Sequence, residues 1–138
     1  MEGNAIGNIG VAYKELRDLQ NAIGYYQQAL ALAREINDKR GEGANLCNLG
    51  VAYVDLGDVR KAIGYYEQAL AVHREISDKS RESTDLSNMG LAYQQLGDVA
   101  KARELWLEAL KIREAIEDPD AKTVREWLQA LNNNGSLD

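Results

Sequence analysis

The sequence predicts an all-α fold: an α-solenoid of three helix-turn-helix repeats followed by a C-terminal capping helix. The first observation is composition. The 138 residues contain one proline, Pro119, and are rich in Ala, Leu, Glu and Gln, which favours helix throughout. The second is a period of 40 residues, and repeats of that length build stacked supersecondary units. The third is that the apolar residues inside each period recur at helical spacing.

The period is legible residue by residue. Gly10, Gly50 and Gly90 recur, followed by Tyr13, Tyr53 and Tyr93, then Leu16, Leu56 and Leu96, then Asp18, Asp58 and Asp98. Ala22, Ala62 and Ala102 keep step, as do Ala29, Ala69 and Ala109. Ile36, Ile76 and Ile116 close each unit just ahead of Asp38, Asp78 and Asp118. Residues 3–42 and 43–82 are identical at 23 of 40 positions. The units therefore run 3–42, 43–82 and 83–118.

Each unit divides into two helices. In the first, Ile6, Ile9, Gly10, Tyr13 and Leu16 share one face and are expected in the core. A turn follows, RDLQ, GDVR or GDVA in the three units. Gly57 and Gly97 suit the C-terminal end of the first helix, and Asp58 and Asp98 suit the N-cap of the second. Arg17 stands where the other units carry glycine, so the first turn is expected to be strained or differently shaped. The second helix carries Ala22, Ile23, Tyr26, Ala29 and Leu30 and stops near Asp38, where a polar loop (NDKRG, then SDKSR) leads onward.

Glycine inside a helix costs roughly 0.5–1 kcal/mol against alanine. Its return in register at Gly10, Gly50 and Gly90 predicts close helix packing there. Gly24 and Gly64 fall on the outer face and have no such reason. After the third unit, Asp118 is expected as an N-cap and Pro119 at the first helical position. Val124, Trp127, Leu128 and Leu131 make one apolar stripe, so 119–131 is expected to cover the last repeat. Residues 132–138 are expected to be a disordered tail.

These residues resemble the tetratricopeptide repeat family, whose pattern appears as Leu46, Leu49-Gly50, Tyr53, Ala62, Tyr66 and Ala69. Unit one matches with Ile6, Ile9-Gly10, Tyr13, Ala22, Tyr26 and Ala29, and unit three with Leu86, Met89-Gly90, Tyr93, Ala102, Trp106 and Ala109. The common repeat is shorter and ends its second helix with proline, where this chain has Arg34, Arg74 and Glu114. The 40-residue form is similar to that of Leu-Gly-Asn-repeat adaptors and kinesin light chains. The resemblance implies a right-handed superhelix whose concave face, lined by the first helices, receives a peptide. It does not extend to the carboxylate clamp that grips chaperone C-termini. The matching positions are Gly7 and Val11, Cys47 and Val51, Ser87 and Leu91, and none is basic or asparagine.

A groove lined by the first helices would be built from Asn8, Val11, Lys14, Cys47, Asn48, Val51, Val54, Asp55, Ser87, Asn88, Leu91, Gln94 and Gln95. Its small, neutral, partly apolar character suits an apolar or amphipathic segment. Asn8, Asn48 and Asn88 form a ladder, one per repeat. An amide both donates and accepts, so the ladder either grips a ligand backbone or ties one repeat to the next.

Other classes are disfavoured. A net charge of −6 opposes nucleic-acid partners. No apolar run is long enough for a membrane helix, no signal peptide opens the chain, and a cytoplasmic location is expected. Cys47 is the one cysteine and forms no intrachain disulfide. His73, the one histidine, is expected on the surface. No catalytic constellation, metal-ligand spacing or cofactor motif is present, so the expectation is a non-enzymatic module, without cofactors, that binds a protein or peptide partner. The chain starts in repeat register and reads as part of a longer adaptor or signalling protein. Two alternatives stand beside this. One is a self-assembling module that forms a homo-oligomer through uncapped terminal helices. The other is a regulatory domain that senses a small ligand.

Overall fold

Seven α-helices follow one another in the computed structural model, which describes residues 2–15 and 17–135. They are α1 (Glu2–Glu15), α2 (Leu19–Glu35), α3 (Lys39–Leu56), α4 (Val59–Glu75), α5 (Lys79–Gln95), α6 (Val99–Ala115) and α7 (Ala121–Gly135). Three antiparallel pairs, α1–α2, α3–α4 and α5–α6, stack in order, and α7 packs on α6. The result is the helical-repeat superhelix that the period predicts.

The helices begin where aspartate permits. Asp18, Asp58 and Asp98 accept the backbone N–H three residues on, at Asn21, Lys61 and Lys101, which satisfies a donor the helix itself leaves free. Asp38 and Asp78 do the same for Gly41 and Arg81. The expected polar loops NDKRG and SDKSR are therefore mostly helix. Only Ile36-Asn37-Asp38 and Ile76-Ser77-Asp78 lie between helices, and the sequence boundary at 42/43 falls inside α3. Asn37, Ser77 and Glu117 take positive φ at these links.

The intra-repeat turns share one geometry. Gly57 and Gly97 have φ of 90° and 85°, and Arg17 has φ of 63° in the same place. Arg17 holds the left-handed conformation that its glycine counterparts adopt freely, so this turn is strained, as expected, and not reshaped. Leu16 lies outside the described residues.

The repeated glycines have the predicted reason. A Cβ at Gly10 would stand 2.8 Å from Tyr26 Cδ1, one at Gly50 would stand 2.6 Å from Tyr66 Cδ1, and one at Gly90 would stand 2.5 Å from Trp106 Cδ1. Each glycine lets the large ring of its own repeat lie flat against the first helix. Gly24 and Gly64 face open space. Three core clusters continue through the stack: Tyr26, Leu46 and Leu49 in the first, Tyr66, Leu86 and Met89 in the second, Trp106, Val124 and Leu128 in the third. A fully buried leucine such as Leu46 or Leu49 contributes roughly 2 kcal/mol.

Three expectations are corrected. Ile9 is 44% exposed, whereas its equivalents Leu49 and Met89 are 0% and 5% exposed. The second helix of the preceding repeat covers Leu49 and Met89, and no described element stands there for α1. Helix α7 begins at Ala121, and Asp118 and Pro119 form a tight turn before it in which Asp118 Oδ1 accepts the Asp120 N–H. The same helix continues to Gly135 because Asn132–Asn134, mediocre helix formers, supply no break. The expected tail is thus helical as far as Gly135, and 136–138 lie outside the described residues.

Candidate functional site: the inner face of the first helices

The first helices touch one another, α1 with α3 and α3 with α5. This contact aligns them along one side of the stack, the side expected to form the inner face. The predicted groove residues lie on these helices at differing depths. Asn8, Val11, Asp55, Gln94 and Gln95 are exposed. Lys14, Cys47, Asn48, Val51, Val54, Asn88 and Leu91 are half-buried, and Ser87 is buried. Val51 and Val54 pack on the second core cluster, and Leu91 packs on the third. The apolar part of the expected floor is therefore partly consumed by contacts between repeats.

Two clefts open along these helices. Between α1 and α3, Gly7, Asn8, Val11, Asn45 and Asn48 line a small cleft of about 90 Å³. Asn45 Nδ2 donates to the Gly41 carbonyl at 2.9 Å, so its side chain is held against its own helix. Between α5 and α7 a larger pocket of about 290 Å³ is lined by Thr84, Ser87, Asn88, Arg113, Thr123 and Trp127 among others. Lys14, Asp55, Gln94 and Gln95 line neither.

The difference between the two ends traces to one register position, occupied by Gly7, Cys47 and Ser87. Asn88 Nδ2 lies 3.8 Å from Cys47 Sγ, so in this repeat the ladder amide leans on the neighbouring first helix. In register, the counterpart of Cys47 is Gly7, which offers no side chain; a Cβ there would meet Asn45 Oδ1 at 3.1 Å, and Gly7 and Asn48 both line the cleft. The Cys47 thiol is pushed up to about 12, chiefly by burial and then by the Asp85 carboxylate. This favours the neutral thiol over the nucleophilic thiolate.

His73 is not a surface residue. It is 1% exposed, and its Nδ1 lies 2.5 Å from Asp85 Oδ2 across the α4–α5 junction. Burial pushes the Asp85 carboxyl up, against the opposing pull of its bond to His73. The same position is Ala33 in the first repeat and Arg113 in the third, both also buried. His73 bonds into the next repeat, whereas Arg113 reaches Ser87 of its own repeat and Asp118 and Asp120 of the turn that follows. Sequence reading missed Arg113 as a site residue. The signal was the departure from the period at the position of Ala33 and His73. On the outer side, Arg34 bonds Glu42 and Gln68, and Arg74 bonds Glu82 and Glu108. Arg34 thus reaches into the next repeat. Among the described residues no group of three or more His, Cys, Asp or Glu could hold a metal ion, and no helix is long and apolar enough to cross a membrane.

Fold and inner face together define a helical-repeat interaction module. The chain belongs to the tetratricopeptide repeat family: one tetratricopeptide repeat model matches residues 2–75 and a second matches 86–120. A search of curated proteins finds no match. Among solved structures, the apo form of RapI superposes with a TM-score of 0.90 at 16% identity, over 97% of this chain and 49% of RapI. The TPR domain of Arabidopsis FLU matches with a TM-score of 0.78 at 24% identity, over 83% of this chain and 96% of that domain. A putative kinesin light chain from Podosopora anserina matches at 0.79 and 21% identity, over 96% of this chain and 66% of that one. The chain spans about half the length of RapI, and identities this low establish the shared fold alone.

Proposed function

We propose that this chain is a peptide-binding module whose inner face holds an extended or helical segment of a partner protein, with Asn8 and Asn48 bonding the segment's backbone. The observation that carries this reading is the cleft between α1 and α3. There Asn8, Asn48 and Val11 line a small cleft beside Gly7 and Asn45. An amide offers both donor and acceptor, which is what a peptide backbone requires of a partner blind to its side chains. A Rap protein of the same fold, with a TM-score of 0.85 at 18% identity, is described in complex with competence and sporulation factor, and the peptide reading is consistent with that relative. A role within a larger cytoplasmic adaptor or signalling protein follows the same reading.

The test is selection from a displayed peptide library followed by calorimetry with Asn48→Ala and Val11→Asp. Loss of one backbone-gripping amide is expected to weaken binding about tenfold. Peptides that bind both variants as tightly as the parent would place the contact elsewhere and sink the reading. Exposed Ile9 favours a second reading, self-association through α1. Concentration-independent mass in light scattering would remove it.

A further inference from the structure

The pocket between α5 and α7 is built around a guanidinium whose hydrogen-bonding capacity is mostly unused. Arg113 is 8% exposed. Its Nε has no hydrogen-bond partner, and Nη2 reaches Ser87 Oγ only at 3.5 Å. Two carboxylates stand near Nη1, Asp120 at 3.4 Å and Asp118 at 3.8 Å. A guanidinium carries five N–H donors, and a buried one is normally bonded through most of them. The cavity beside it adds the hydroxyls of Thr84 and Thr123. Trp127 forms one wall, its ring 5.2 Å from that of Trp106.

We infer that this pocket receives a carboxylate of the segment bound along the inner face, and that Asp120 occupies the carboxylate's place until it arrives. The inference rests on the peptide-binding reading above and extends it to one anchoring group. The two aspartates differ in what holds them. Asp118 Oδ1 accepts the Asp120 N–H at 2.8 Å, and its side chain is 18% exposed. The Asp120 side chain is 73% exposed and makes no hydrogen bond to Arg113 within good geometry. An incoming carboxylate displaces Asp120 into water at little cost, and it can take a paired, two-point bond from the guanidinium that Asp120 does not make. The net charge of −6 opposes anions at long range, but screening confines that effect to about 8–10 Å in physiological salt, so the groups at the pocket decide. Arg113 comes from a second helix, outside the first-helix positions that lack basic residues.

The experiment follows the Trp127 indole N–H by NMR while N-acetylglycine, N-acetylglutamic acid α-amide and N-acetylglycinamide are titrated into the full chain. The two acids present a terminal and a side-chain carboxylate, and the amide presents neither. A shift with at least one acid and none with the amide is expected, and the stronger acid identifies the source. Asp120→Asn is expected to tighten acid binding about threefold to tenfold by removing a competing like charge. Arg113→Lys, which keeps the charge but not the planar fork, is expected to weaken it about tenfold. Because Asp120 is on the rim, its variant tests the idea even if Arg113 variants fold poorly. Equal shifts with acids and amide, or weaker acid binding in Asp120→Asn, would overturn the inference, the latter pointing to a cationic ligand. Library peptides that bind through Asn48 but lose nothing on amidation and acid-to-amide exchange would leave the groove standing and remove the anchor. Acid binding at Trp127 in a chain that selects no peptides would do the reverse.

Discussion

His73 and Asp85 form a buried hydrogen-bonded pair, each 1% exposed at the side chain, that joins the second repeat to the third. The equivalent junction between the first and second repeats carries Ala33 and Asn45, and there the asparagine bonds its own helix. The two interfaces of one solenoid thus solve the same packing problem by different chemistry. Gly43 makes room for the ring, since a Cβ there would stand 2.8 Å from His73 Cδ2.

Breaking the pair on one side leaves the buried Asp85 carboxyl without its hydrogen-bond partner. His73→Ala is expected to destabilise the fold by about 2–5 kcal/mol, from that lost partner and the cavity left by the ring. The double change His73→Ala with Asp85→Asn copies the first interface, and it is expected to recover much of that loss. Urea unfolding of the four members of the cycle measures the coupling. Additive effects would show that the pair does not hold the repeats together.

The Asp85 carboxyl is raised by burial, which fixes a sign. A group raised in the folded state binds its proton more readily there than in the unfolded chain. Its contribution to stability is fully present below the unfolded value and is lost as pH rises through the folded one. The stability of Asp85→Asn relative to the parent is therefore expected to rise as pH increases from the ordinary carboxylate range through the raised one. Chemical unfolding at stepped pH checks this, and a flat difference would contradict it.

Glycine substitutions should separate by face. Gly50→Ala drives a methyl into the Tyr66 ring and is expected to cost about 1–3 kcal/mol. Gly64→Ala meets nothing within 4 Å and is expected to stabilise by roughly 0.5–1 kcal/mol through helix propensity. Thermal melts of the two variants should move in opposite directions.

Arg17→Gly is expected to stabilise the first turn by about 1 kcal/mol, because a left-handed residue with a Cβ costs roughly 1–2 kcal/mol and glycine returns part of that as chain entropy. An unchanged melting temperature would mean that the turn relaxes without penalty.

The repeat made most of the architecture legible before any coordinates. Period and helical spacing placed the helix pairs, Asp58 and Asp98 marked starts that the caps confirm, and glycine in register marked close packing, which the structure shows to be against Tyr26, Tyr66 and Trp106. Those features are local: they depend on residues within one turn or one hairpin, and a sequence displays them directly. Asp38 and Asp78 carried the same signal, but their position at the close of each unit masked it.

Tertiary structure alone decided the departures from the period. Whether Ile9 is core or surface depends on a neighbour that a single helix cannot reveal. His73 looked like a surface change from Ala33 because its partner lies in the next repeat, and burial is a property of that contact. Ser87 is buried beside Arg113 of the helix paired with its own, and Asn48 stays half-buried at the cleft it shares with Gly7. The sequence by itself determined the repeat, its helices and its turns, through short-range sterics and hydrogen bonding. The stacking of one repeat on another decided which polar residues are paired, buried or free.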